Sequence, residues 1–167
     1  EILPSKTYFL WPGYSQDIYH YEVSSQIFVM NDASHEETGE GREQDSYLVQ
    51  SSDQQDMHIS LNVRWRIDPT SAVSIHKNYN SHVGRKSERI LEERLIRSTI
   101  MRVVKNHATK IKATEAYSGD GLVKLQTDIE SELFDPNGET RKEGIVIENF
   151  VIEKIGLDPK YTENIKE

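Results

Sequence analysis

The clearest pattern in the chain is a strict two-residue alternation over 57–67. Met57, Ile59, Leu61, Val63, Trp65 and Ile67 alternate with His58, Ser60, Asn62, Arg64 and Arg66. This predicts a long strand with one apolar and one polar face. Tyr47 to Gln50 predicts a shorter strand, and the polar run 51–56 a turn that joins the two into an antiparallel hairpin. Upstream, over Asp17 to Met30, Tyr19, Tyr21, Val23, Ile27 and Val29 share one side of a two-residue period. They predict a strand, bent near Ser24-Ser25. Earlier still, the apolar run Tyr8-Phe9-Leu10-Trp11 ends at Pro12-Gly13.

After Asp68 the period changes from two to about 3.6. Asp68-Pro69 stops the strand and opens a short helix, with Pro69 suited to a first helical position and Ala72, Val73, Ile75, His76 and Tyr79 on its apolar side. A long helix follows over about 85–112. Leu91, Leu95, Ile96, Ile100, Val103, Val104, His107 and Ile111 form its apolar stripe. A third runs over about 120–134, with Leu122, Leu125, Ile129 and Leu133 at coiled-coil-like intervals and Asp120 as its N-cap. Asp135-Pro136-Asn137-Gly138 is a turn, and Gly144 introduces a last strand, Ile145 to Ile155. That strand is so nearly continuous in Ile, Val and Phe through 152 that it predicts burial on both faces. The order predicts an α+β fold, a small antiparallel or mixed sheet packed against amphipathic helices, with no internal repeat. Residues 1–158 read as one domain. The polar segment 159–167 reads as the start of a C-terminal helix leading into a coiled coil.

Composition narrows the function classes. The 167 residues carry 28 acids against 20 bases, a net charge of −8, which argues against nucleic acid as a partner. Absence of cysteine excludes disulfide scaffolds, thiolate zinc sites and cysteine nucleophiles. No run reaches the roughly 18–20 apolar residues that span a bilayer. The chain opens on Glu1 without a signal peptide, and reads as a piece excised from a longer protein. Segment 31–45 holds six acids, one Arg and no large apolar side chain, and predicts a mobile acidic loop.

Candidate chemistry is sparse. The six histidines show no metal spacing, and no His-Glu-x-x-His occurs. His107 reads as a packed, hydrogen-bonded core histidine and His58 as a solvated one. Asp135-Pro136-Asn137-Gly138-Glu139 fails as a calcium loop because its glycine comes too early and its twelfth position is Val146. Ser118-Gly119-Asp120-Gly121 lacks the lysine of a phosphate loop, and no serine sits in a Gly-x-Ser-x-Gly elbow. The reading is a non-enzyme with no cofactor.

Charge distribution says more. Residues 85–112 hold nine bases and three acids, a net of +6 within a chain of −8, which leaves −14 for the remainder. On a helical wheel Arg94, Lys105 and Lys112 cluster opposite the Ile96/Ile100/Val103 stripe. With Arg97 and Arg102 they form a candidate surface for an acidic neighbouring subunit or anionic lipid. The bland alternative is a solvated face with surface pairs such as Arg89 with Glu93. The aromatics Tyr8, Phe9 and Trp11 are a second candidate: either the first strand of the sheet or rings resting at headgroup level.

The order of these features resembles the SPFH or band 7 domain of stomatin, prohibitin, flotillin and the bacterial HflK/HflC proteins. The residues that carry the resemblance are Leu10-Trp11-Pro12-Gly13-Tyr14, Ser52-Asp53-Gln54-Gln55-Asp56, Val63 to Pro69, the Arg-rich helix, and Gly144 to Ile155 leading to Pro159. It covers about 8–165. The loop 31–45 and the stretch Asp135 to Glu143 look longer than the family pattern needs. The resemblance implies a membrane-associated, non-enzymatic scaffold, held through an N-terminal segment absent from this piece, on a side of the membrane that the sequence leaves open. It implies homo-oligomers in the full-length protein that organise membrane microdomains, with a membrane protease or channel as partner in some relatives. The alternative is a soluble extracytoplasmic module that binds a ligand or peptide at the acidic loop or beside the helices.

Overall fold

A computed structural model of the chain describes residues 21–30, 46–80 and 91–157. Outside these lie Tyr8, Phe9 and Trp11, the acidic segment 31–45, the first residues of the basic helix and everything after Leu157. The described residues form an α+β unit built on an antiparallel sheet of β1 (Gln26–Met30), β2 (Tyr47–Gln50), β3 (Asp56–Ile67) and β4 (Ile145–Leu157).

β3 organises the sheet. It pairs with β4 along Met57–Ile67, with β1 at Leu61–Trp65 and with β2 at Asp56–Ile59. A strand has two hydrogen-bonding edges, so β1 and β2 lie end to end along the edge that β4 leaves open. Every apolar residue of the alternating row, Met57 to Ile67, is fully buried. The hairpin is as expected, its turn closed by the Ser51 N–H and the Gln55 carbonyl at 2.9 Å.

Two strands depart from expectation. The upstream strand is shorter than predicted, and its phase is reversed. Phe28 pairs with Val63 and Met30 with Leu61, so these two join the buried row, whereas Ile27 faces outward and Val23 is exposed ahead of the strand. Cross-strand partners share a face, and β3 therefore imposes its phase on β1. In β4, burial on both faces holds only over Ile145–Ile147. Beyond that the register slips twice, leaving Glu148 and Glu153 without partners on β3. These slips are β-bulges at the consecutive polar pairs Glu148-Asn149 and Glu153-Lys154. Each bulge resets the alternation, so Ile147, Phe150, Ile152 and Ile155 all return to the buried face.

Asp68 ends β3 and caps a 3₁₀ turn, Pro69–Ser71. Its carboxylate accepts from the Thr70 N–H at 3.0 Å and the Thr70 hydroxyl at 2.7 Å. Helix α1 (Ala72–Ile75) follows and widens into a π-helical turn at His76–Asn80. The basic segment enters through a second π-helical turn, Glu92–Ile96, and continues as α2 (Arg97–Ala108). Its i→i+5 hydrogen bonds widen the turn, which brings both Leu91 and Ile96 into the core. The helix stops short of the predicted end. The Thr109 hydroxyl bonds back to the Lys105 carbonyl at 2.9 Å, and Lys112 is extended at φ −75, ψ 147.

Helices α3 (Ala113–Tyr117) and α4 (Gly119–Leu133) meet at Ser118, whose hydroxyl accepts from the Gly121 N–H at 3.1 Å. Ser118 is thus the N-cap of α4, and Asp120 lies in its first turn instead. Gly121 packs against the backbone of α3, where an added Cβ would strike the Glu115 carbonyl. Leu125, Ile129 and Leu133 face inward as predicted. The turn at Asp135–Gly138 closes through Asp135, which accepts from the Asn137 N–H at 2.8 Å, and leads to the short α5 (Glu139–Lys142). The inner face of the sheet and the helices share one hydrophobic cluster.

Candidate assembly surface

The hairpin turn determines how the end of the basic segment is presented. The Ser52 N–H donates to the Ile111 carbonyl at 2.9 Å, and the Asp53 carboxylate accepts from the Ala113 N–H at 3.0 Å. Asp53 thus caps α3 from sixty residues away in sequence, at an N-terminus where Lys112 itself offers no side-chain cap. These two bonds pin the backbone on both sides of Lys112 and leave its side chain exposed.

The five predicted cations divide into two groups. Arg102 pairs with Glu139 of α5 and lies 3.9 Å from Glu132 of α4. Arg97 is half-buried and also engaged. Arg94, Lys105 and Lys112 are exposed and form no ion pair among the described residues. Arg94 and Lys105 lie on the solvent side of the basic segment, while Lys112 lies beyond its end, in the extended link to α3.

Sequence reasoning missed Glu132 and Glu139. The Glu132 carboxylate reaches His107 at 2.9 Å and Arg102 on its other oxygen, and so clamps α4 to α2. His107 is therefore a partly exposed interhelical link rather than an enclosed core residue. No spacing in one chain segment signals such a pair, because its members are brought together from different helices. His58 is exposed on the outer face, 3.3 Å from the Ser46 hydroxyl.

Other polar contacts brace the scaffold. The Tyr79 hydroxyl donates to Glu143 at 2.7 Å. Burial first, then the Glu143 carboxylate as bond acceptor and nearby negative charge, push its pKa up to about 12, so it remains a donor at neutral pH. Glu148, at the first bulge, accepts from Arg66 at 2.9 Å and from the Ser25 hydroxyl at 2.5 Å. Between helices and sheet, Leu95, Ile96, Thr99, Ile100, Ile145 and Ile147 line a crevice too tight for a water-sized guest. Among the described residues no three His, Asp or Glu side chains gather as a metal-binding group, and no helix is long and apolar enough to cross a membrane.

Fold and site together define an α+β domain that presents exposed charge along its basic helical segment. The SPFH domain / Band 7 family model matches residues 1–167, the whole chain. The chain belongs to the SPFH/Band 7 family, whose members are generally membrane-associated, non-enzymatic scaffolds. A search of curated proteins finds no match.

Proposed function

We propose that this chain is the self-associating domain of a membrane-bound scaffold that organises membrane microdomains or regulates a partner membrane protein such as a protease or channel. Family membership carries this reading, and Arg94, Lys105 and Lys112, exposed and without an ion pair among the described residues, support it on a chain of net charge −8. These cations face an acidic partner, either a neighbouring subunit or anionic headgroups. In this reading a segment N-terminal to the chain holds the domain at the bilayer, with Tyr8, Phe9 and Trp11 at headgroup level.

The test replaces Arg94, Lys105 and Lys112 by Glu in the complete polypeptide. Assembly size is read by light scattering in mild detergent, and lipid binding by flotation with anionic vesicles. The expected result is loss of one or both; retention of both removes this surface from the function. Trp65 is fully buried, so in the 167-residue chain, whose other tryptophan is Trp11, an emission shift on adding vesicles reports Trp11. An unshifted emission assigns the aromatics to the sheet.

A further inference from the structure

Among the described residues β4 is the longest strand, and it forms one side of the sheet. β3 occupies one of its hydrogen-bonding edges from Ile145 to Leu157, and no described strand pairs with the other. An open edge offers unpaired N–H and C=O groups to any extended chain, and segments rich in Ile, Val and Phe are the most prone to accept one. Two stretches of β4 carry their own protection. The bulges at Glu148-Asn149 and Glu153-Lys154 interrupt the ladder and place exposed charge there. Between them lies Phe150-Val151-Ile152, apolar, uncharged and free of bulges.

A side chain of the helical layer reaches that stretch. The Ile152 N–H donates to Gln126 Oε1 of α4 at 3.3 Å. An N–H bonded to a helix is turned away from β3, toward the edge that lacks a strand. The Gln126 carboxamide is oriented from its other end, where Nε2 donates to Glu130 Oε1 at 2.9 Å, one helical turn on. A carboxylate accepts and does not donate, so the amide nitrogen must face Glu130 and the amide oxygen β4. Both side chains are half-buried and flank the inward row Leu125, Ile129 and Leu133.

Gln126 thus stands in for a strand. Its carboxamide carries the acceptor of a peptide group, and it takes the hydrogen bond that the carbonyl of a further strand would take at Ile152. We propose that Gln126, oriented by Glu130, closes the β4 edge between its two bulges against strand addition, and that in its absence an extended apolar segment of another chain pairs there. Arg94, Lys105 and Lys112 take no part in this contact, so the outcome does not depend on the assembly surface proposed above.

The test compares three variants of the complete polypeptide with the parent. Gln126→Met keeps the length and apolar stem of the side chain and removes the acceptor. Glu130→Ala keeps the acceptor and frees the amide to turn. Val104→Ala trims a fully buried residue of α2 and lowers stability while leaving Gln126 and Glu130 in place. Hydrogen exchange over Phe150 to Ile152 is followed by mass spectrometry, and strand addition by the infrared band of intermolecular β-sheet, both well below the unfolding midpoint of each variant. Exchange at Ile152 should be about tenfold faster in Gln126→Met than in Val104→Ala, with Glu130→Ala between them. The intermolecular band should grow in Gln126→Met, grow less in Glu130→Ala, and stay at the parent level in Val104→Ala. Exchange no faster in Gln126→Met than in Val104→Ala would show that the bond protects nothing. Faster exchange without growth of the band would show that something else closes the edge. A band that grows equally in Val104→Ala would trace strand addition to lost stability. Any of these three results overturns the proposal. Where Gln126→Met does not fold, Glu130→Ala decides on the same two readouts.

Discussion

Gly144 has φ +87, and a Cβ added there would strike the Ser71 side chain. Its carbonyl accepts from the Asp68 N–H at 2.9 Å, so the entry to β4 is tied to the exit of β3 through this one residue. Gly144→Ala should cost about 1–3 kcal/mol, read as a lowered urea midpoint with unchanged slope. Asp68, on the other side of that bond, is held below the usual carboxylate range by the Thr70 hydroxyl, the Thr70 N–H and, more weakly, Arg141 and Arg66. A carboxylate whose pKa is lowered on folding contributes stability above its unfolded pKa and loses it as pH falls through the folded value. Asp68→Asn should therefore cost little at neutral pH, and its difference from the parent should shrink as pH drops below about 4. Asp68→Ala should cost about 1 kcal/mol at neutral pH. Both are measured by urea titration across pH. Asp68-Pro69 was legible in sequence as a strand stop and helix start. The left-handed glycine was legible only as a strand entry, because what crowds it comes from Ser71.

β4 shows how much an element's own pattern says and where it falls short. Its apolar residues mark a strand, but the two polar pairs at 148–149 and 153–154 read as interruptions until they are set against β3. Deleting Glu153 should remove the bulge and leave Ile152, Lys154 and Ile155 in plain alternation opposite Leu61, Ser60 and Ile59, so Ile155 stays buried and the cost, about 1 kcal/mol, is that of the lost local twist. Glu153→Ala should stay within about 0.5 kcal/mol. Comparing the two variants by thermal unfolding separates the bulge from the charge. The basic helix shows a complementary limit. Its stripe from Leu91 to Val104 was legible from spacing, and those residues are buried. Its end was not, because the hydrogen bonds that release Lys112 from the helix are made by Ser52 and Asp53 of the hairpin turn.

Across the whole molecule, one apolar cluster joins both layers, and Ile129 of α4 is fully buried within it. Ile129→Ala should cost about 2–5 kcal/mol in urea unfolding. Charge has the opposite distribution. Arg102 and His107 are tied to acids within the chain, so reversing Arg102 should chiefly lower stability. Reversing Arg94, Lys105 and Lys112 should leave the urea midpoint within about 0.5 kcal/mol of the parent while changing assembly or lipid binding. A midpoint that falls with the assembly signal would mean that these three cations stabilise the fold rather than a contact.

Read alone, the sequence determined the α+β order, the alternating row of β3, the apolar stripes of the helices and the family, since each depends on periodicity or on the order of motifs along one chain. The tertiary structure decided the phase of β1, the bulges of β4, the end of α2 and the division of the basic residues between internal clamps and open surface. These depend on which groups meet across long separations in sequence, and a hydrogen bond or ion pair acts only over the few ångströms that folding brings about.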